Sequence, residues 1–219
     1  MQVQEVEEVK DAYGSNQWMD WLKIWIRPRE TMRHIINKPT NTGVVILLML
    51  LGGFIFAMNK AASDSMADSM PLDTLFITII CATIIGAVIY YFLIGGLFYW
   101  VGSLLGGTGS YSDVRLSLAY AYIPTIITLL IWIPSLILFG TENFTSDTPR
   151  MDSSDGSLIT YLIFEVIEFI IGIWGIFIYL KCLGEAHRFS AWKALLTVIL
   201  PLIISLVIVF ILIVILNAI

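Results

Sequence analysis

Between Leu158 and Lys181 the chain reads LITYLIFEVIEFIIGIWGIFIYLK, an apolar run long enough to cross a bilayer as a helix, yet with two carboxylates inside it. Glu165 and Glu168 are three residues apart and share a helix face, with Tyr161 four residues before Glu165 and Gly172 four after Glu168 on the same stripe. At about 1.5 Å per residue, Glu168 falls roughly 15 Å from the outer end of such a helix, near the middle of the bilayer. A charge at that depth costs at least about 2.5 kcal/mol, so the pair must face protein or water. The rest of the chain has to pack in a way that permits this.

Four further apolar runs accompany it, and together the five predict an all-α, polytopic integral membrane protein. Residues 43–219 form a five-helix transmembrane domain with spans at about 43–62, 72–105, 115–140, 158–181 and 194–216. A chain of 219 residues that is 58% hydrophobic is not built around a soluble core, and a net charge of −5 argues against nucleic acid as a partner. Cys81 and Cys182 lie at different depths of different spans and do not form a disulfide. His34 and His187 stand alone and read as interfacial side chains. No metal site and no cofactor is expected.

Residues 1–16 are acid-rich and poor in apolar groups, which predicts a mobile cytoplasmic tail. Residues 17–42 read as amphipathic interfacial helices. They put Trp18, Trp21, Leu22 and Trp25 on one face and Asp20, Lys23 and Arg27 on the other, with a second short helix opening at Pro28. The three tryptophans suit the headgroup boundary, and Arg27, Arg29 and Arg33 suit the anionic lipid of the inner leaflet. Two alternatives remain open at this point, packing on the cytoplasmic ends of the spans and docking of a soluble partner on the tryptophans.

Several local features carry expectations. Gly52 and Gly53 allow close helix contact, Gly95 and Gly96 hinge the long second span, and Gly102 with Gly106 forms a small-residue pair for helix packing. Ser112 is the expected N-cap of the third span, and Pro124 and Pro134 are expected to bend it, with Tyr120, Tyr122 and Thr125 beside the first bend. These three are the expected partners of Glu165 and Glu168. Residues 60–73 and 141–156 read as external loops, the second of them mobile and carrying an acceptor sequon at Asn143. Of the twelve Lys and Arg, ten lie on the side of the N-terminus and only Lys60 and Arg150 on the other. This predicts the N-terminus in the cytoplasm and the C-terminus outside.

The order of these parts resembles the Yip family of Ypt/Rab-interacting membrane proteins. The similar features are Ile26-Arg27-Pro28-Arg29-Glu30-Thr31, the Gly-rich turn before Ser110-Tyr111-Ser112-Asp113-Val114-Arg115, the Ala-Tyr-Ile-Pro at Ala121 to Pro124, and Gly184-Glu185-Ala186-His187-Arg188-Phe189-Ser190. The resemblance covers about Trp18 to Leu216. For eukaryotic relatives it implies vesicle traffic and binding of prenylated Rab-type GTPases through a longer cytosolic N-terminus. With only about 42 residues before its first span, this chain looks more like bacterial members of a cell membrane, some of which serve ABC-type exporters as accessory proteins.

The sequence holds no nucleophile elbow, no HExxH and no phosphate loop, so the expectation is not an enzyme. Two functions compete. One is a scaffold or accessory of other membrane proteins, ABC-exporter subunits among them, or a self-associating protein. The other is a small transporter or channel for a proton, cation or small solute that uses Glu165 and Glu168.

Overall fold

The computed structural model describes residues 19–218, so the tail and Trp18 lie outside the described residues. Every regular element in that range is helical, as the apolar runs require. Residues 19–23 are helical and lead through a turn into α1 (Pro28–Ile36), where Pro28 opens the helix because a first-turn N–H has no intrahelical acceptor to lose. Then follow α2 (Thr42–Ser63), started by the Asn41 side chain accepting the Val44 N–H at 3.3 Å, and α3 (Leu72–Val88). A π-helical segment, Ile89–Ile94, joins α3 to α4 (Gly95–Leu104) without a break. The third apolar run is divided into α5 (Tyr111–Ala121), α6 (Ile123–Ile126) and α7 (Leu129–Phe139), and two long helices close the chain, α8 (Asp155–Ala186) and α9 (Ala191–Ala218).

Among the described residues four helical stretches are long and apolar enough to cross a membrane: Thr42–Ser63, Leu72–Leu104, Asp155–Ala186 and Ala191–Leu216. The third run makes a fifth if its two parts, bent by 43°, count as one. The chain is an integral membrane protein.

Four local expectations are corrected. The irregularity in the second span lies in Ile89–Ile94, one turn before the glycines expected to hinge it, since a wide turn needs one extra residue and not a missing side chain. Ser110, not Ser112, caps α5, because only Ser110 has an acid at the third helical position to complete a capping box with Asp113. The bend of the third run falls at residues 127–128, just beyond Pro124, while Pro134 sits inside α7. Gly102 and Gly106 do not form a helix-packing pair. Gly106 lies beyond the end of α4 with φ +85°, a conformation that favours glycine.

The helices gather round the second half of α8, whose buried residues are Gly175, Ile178 and the run Cys182–Ala186. Helices α1, α5, α6 and α9 pack on α8, and α2 pairs with α3. One apolar core joins Met32 and Ile35 of α1, Leu48 of α2, Leu116 of α5 and Ile178 of α8. A second, at the opposite end of the molecule, joins Met58, Leu75, Trp132 and Phe144. Gly52 leaves room for the Tyr122 ring, and Gly53 for the α3 backbone at Thr83.

Candidate functional site

The sequence places the candidate site on α8, and the fold gives that helix two very different ends. At the end near Asp155, the expected partners of the glutamates do not come together. Glu165 and Glu168 line an open cavity of about 330 Å³ with Tyr161, Asn59, Ser135 and Asn143. Tyr122 and Thr125 line a separate cavity of about 190 Å³ with Tyr90 and Tyr179, and Tyr120 borders a pocket beside Asp20 and Lys38. The reason is register: Pro124 and Thr125 face Gly175, seven residues beyond Glu168 and about 10 Å further along α8. Helical periodicity identified the face of the pair but carries no information on which neighbour stands at its level. Both carboxylates border this one cavity.

The loop over this cavity is built and not a loose strand of chain. Its 3₁₀ turn, Gly140–Phe144, buries Phe144 against Trp132 with ring centroids 5.7 Å apart. The Glu142 carboxylate accepts the Arg150 N–H at 2.8 Å and the Met151 N–H at 3.1 Å, and the Asp68 carboxylate accepts the Ser146 N–H at 3.0 Å. Asn143 donates through its amide to the carbonyls of Gly140 (2.9 Å) and Ser135 (3.2 Å), so the sequon nitrogen points inward. The Trp132 indole N–H reaches the Asn59 side-chain oxygen at 3.0 Å. Polar residues of the loop pair with backbone groups of that same loop, which composition alone does not reveal.

The opposite end of α8 holds charges that sequence reasoning left unpaired. Glu185 accepts from Arg33 through both oxygens, at 2.6 and 3.2 Å, and stands 4.0 Å from Arg29. That carboxylate raises the Arg33 pKa further, through its hydrogen bond first and its charge second. Arg29 also donates to the Phe189 carbonyl at 2.9 Å. Asp20, expected on the solvent face, is buried and bonded to Lys38 at 3.1 Å. The tryptophan face packs in part on the bundle. Ile24 is buried and Trp21 and Trp25 pack partly against the core, while Leu22 and Ile26 are 72% and 81% exposed. The Trp25 carbonyl accepts the Trp174 indole N–H at 3.2 Å, so this segment and α1 are fastened to α8. Arg27 remains outward and pairs, among the described residues, with Glu30 at 3.4 Å.

His187, read as an interfacial side chain, is fully buried. Its ring fills the space left open by Gly102 and Gly107, stacks on Phe189, and places Nε2 3.2 Å from the Phe98 carbonyl. Its own carbonyl accepts the Thr108 N–H at 3.0 Å, tying the glycine turn to α8. Burial lowers the His187 pKa, against the smaller opposing effect of the Phe98 carbonyl. Arg115 lies over the rings of Tyr111, Tyr91 and Phe92, at 4.2, 4.9 and 5.4 Å from their centroids. The clue to this end was available: Glu185, His187 and Arg188 stand within four residues of one another, and Gly102, Gly107 and Gly109 precede them where bulk had to be absent.

Among the described residues no group of three or more His, Cys, Asp or Glu is arranged to hold a metal, and Cys81 and Cys182 are both free. Comparison with curated proteins and with solved structures gives no match. The Yip1 domain model matches residues 22–213, which takes in α1 to α8 and most of α9, and the chain belongs to the Yip1 domain family.

Proposed function

We propose that this chain is a non-enzymatic membrane scaffold or accessory protein that holds other membrane proteins, with subunits of an ABC-type exporter or further copies of itself as partners. It crosses a bacterial cell membrane five times with its N-terminus in the cytoplasm and its C-terminus outside, and rests its Arg27, Arg29 and Arg33 side against anionic inner-leaflet lipid. The observation that carries this reading is the packing of α9. Ala194 and Thr197 near its start are fully buried, whereas the residues from Leu202 to Phe210 are exposed on every side. A span held by its own bundle at one end only offers its remaining turns to another membrane helix, where close packing is the main source of association. Purification in mild detergent without crosslinker tests this, and a stoichiometric membrane-protein companion or a discrete oligomer is expected. A lone monomer overturns it. The topology is tested with an impermeant maleimide on intact cells, which should label cysteines placed at Ser69 and Ser153 but not one at Ser112.

A second reading, a small transporter or channel, is favoured by the cavity that Glu165 and Glu168 share, since two carboxylates open to water can bind a proton or cation in turn. That cavity shares no lining residue with the one beside Tyr122, which speaks for a dead end over a conduit. Flux into liposomes holding this protein alone, lost in the Glu165→Gln plus Glu168→Gln variant, would reverse the order of the two readings.

A further inference from the structure

We propose that the open pocket at the Arg-rich end, lined by Arg29, Arg33, Asn37, Glu185, Arg188 and Ser190, binds a phosphate group, carried by a lipid headgroup or free in solution. Its volume, about 720 Å³, suits a headgroup-sized ligand.

The charges are already sorted in favour of an anion. Three guanidinium groups meet two carboxylates, Glu185 and Asp113, and both carboxylates are engaged. Glu185 takes Arg33 on both oxygens, and Asp113 accepts the Ser110 N–H at 3.0 Å within the α5 cap. Glu185 therefore fixes Arg33 in orientation, and the Phe189 carbonyl fixes Arg29, so that two guanidinium groups of the lining are held in place in advance. The Arg188 guanidinium makes no ion pair or hydrogen bond to a described residue.

The backbone at Arg188 supplies an independent argument. Helix α8 ends in a Schellman motif: Phe189 N–H donates to the Gly184 carbonyl at 2.9 Å and Arg188 N–H to the Glu185 carbonyl at 3.0 Å. Arg188 itself is left-handed, with φ +59°, at the place where glycine is normally found. An arginine held there is strained, and strain of this kind gathers where a side chain has work to do. Here it aims an unpaired guanidinium, the group best shaped to grip phosphate oxygens, into a pocket with two oriented arginines. Trp192, two residues past Ser190, is exposed, as a side chain at headgroup level would be.

The inference deepens the scaffold reading by giving its Arg-rich end a ligand, and it rests on that reading only for the lipid source. The test uses the full chain, wild type and Arg188→Gly. Inorganic phosphate is titrated in detergent, and nanodiscs of phosphatidylcholine are compared with nanodiscs that also contain phosphatidic acid. Because glycine relieves the left-handed position, R188G without ligand should melt roughly 2–4 °C above wild type. It should bind the probe roughly tenfold more weakly or worse. Wild-type stabilisation by both probes assigns the phosphate group itself as the ligand, by phosphatidic acid alone the lipid, and by inorganic phosphate alone a soluble source. Failure of wild type to respond to either probe, or an equal response from R188G, overturns the proposal. A protein that purifies as a lone monomer yet binds phosphate through Arg188 would sink the scaffold reading and leave this one standing.

Discussion

The two ends of α8 belong to one helix, carry glutamates at each end, and are treated in opposite ways. At the Ala186 end the chain closes on itself: Cys182 to Ala186 are buried, Glu185 is gripped by arginine, and His187 sits in a space shaped by glycines. Between Asp155 and Trp174 no residue of the same helix is buried, and Glu165 and Glu168 open onto a cavity. The difference teaches that one helix can hold a carboxylate on a partner fixed at its level and leave others bordering an open cavity, and that the number of charges does not say which.

Four measurements break or sharpen this contrast. The largest effect is expected from Gly102→Val, which drives a side chain into the His187 ring and should cost about 1–3 kcal/mol. Gly172→Ala, on α8 where nothing stands within 4 Å, should change stability by no more than about 1 kcal/mol, and in the favourable direction. Thermal unfolding in detergent compares the two, and equal losses would erase the distinction between the ends. Next comes Glu185→Gln, which removes the acceptor charge of Arg33 and should lower the melting temperature by several degrees, whereas Glu165→Gln plus Glu168→Gln should leave it unchanged. A smaller loss, about 1 kcal/mol, is expected from Trp132→Phe, which keeps the stack on Phe144 but deletes the hydrogen bond to Asn59.

The smallest effect is pH dependence at His187. Because burial holds its folded pKa below its unfolded value near 6.5, the folded form favours the neutral ring. The stability this gives is fully present above about pH 6.5 and is lost as pH falls through the window below it. Relative to the intrinsic exchange rate at each pH, the protection of amides at residues 102–109 and 183–189 should therefore fall between pH 7.5 and 5.5, more than at residues 140–151, and His187→Gln should abolish the change.

What the sequence made legible follows from how local each determinant is. The apolar runs, Pro28 as a helix start and the face shared by Glu165 and Glu168 are set within a few residues, and they appear where periodicity and chemistry put them, whereas the serine cap was expected two residues late. Register between helices is set by side chains far apart in sequence. For that reason Tyr122 was expected beside the glutamates but stacks over Gly52, and Asp20 was expected in water but is bonded to Lys38. Trp21 and Trp25 show the same limit: an amphipathic face is visible in one helix, but whether lipid or protein covers it depends on where α8 passes.

The wide turn at Ile89–Ile94 has a consequence for how the second span is phased. Ala87 packs toward Gly53 of α2, and Phe98 toward Val114 and Leu118 of α5. Eleven residues apart, the two would fall on nearly one stripe of an uninterrupted helix of 3.6 residues per turn. The extra residue carried by the π segment works like an insertion, turning everything after it about the helix axis. One continuous span thereby addresses two neighbours, and the loss or gain of a single residue between Ile89 and Ile94 would re-aim all of α4, and with it the Gly102 seat of His187.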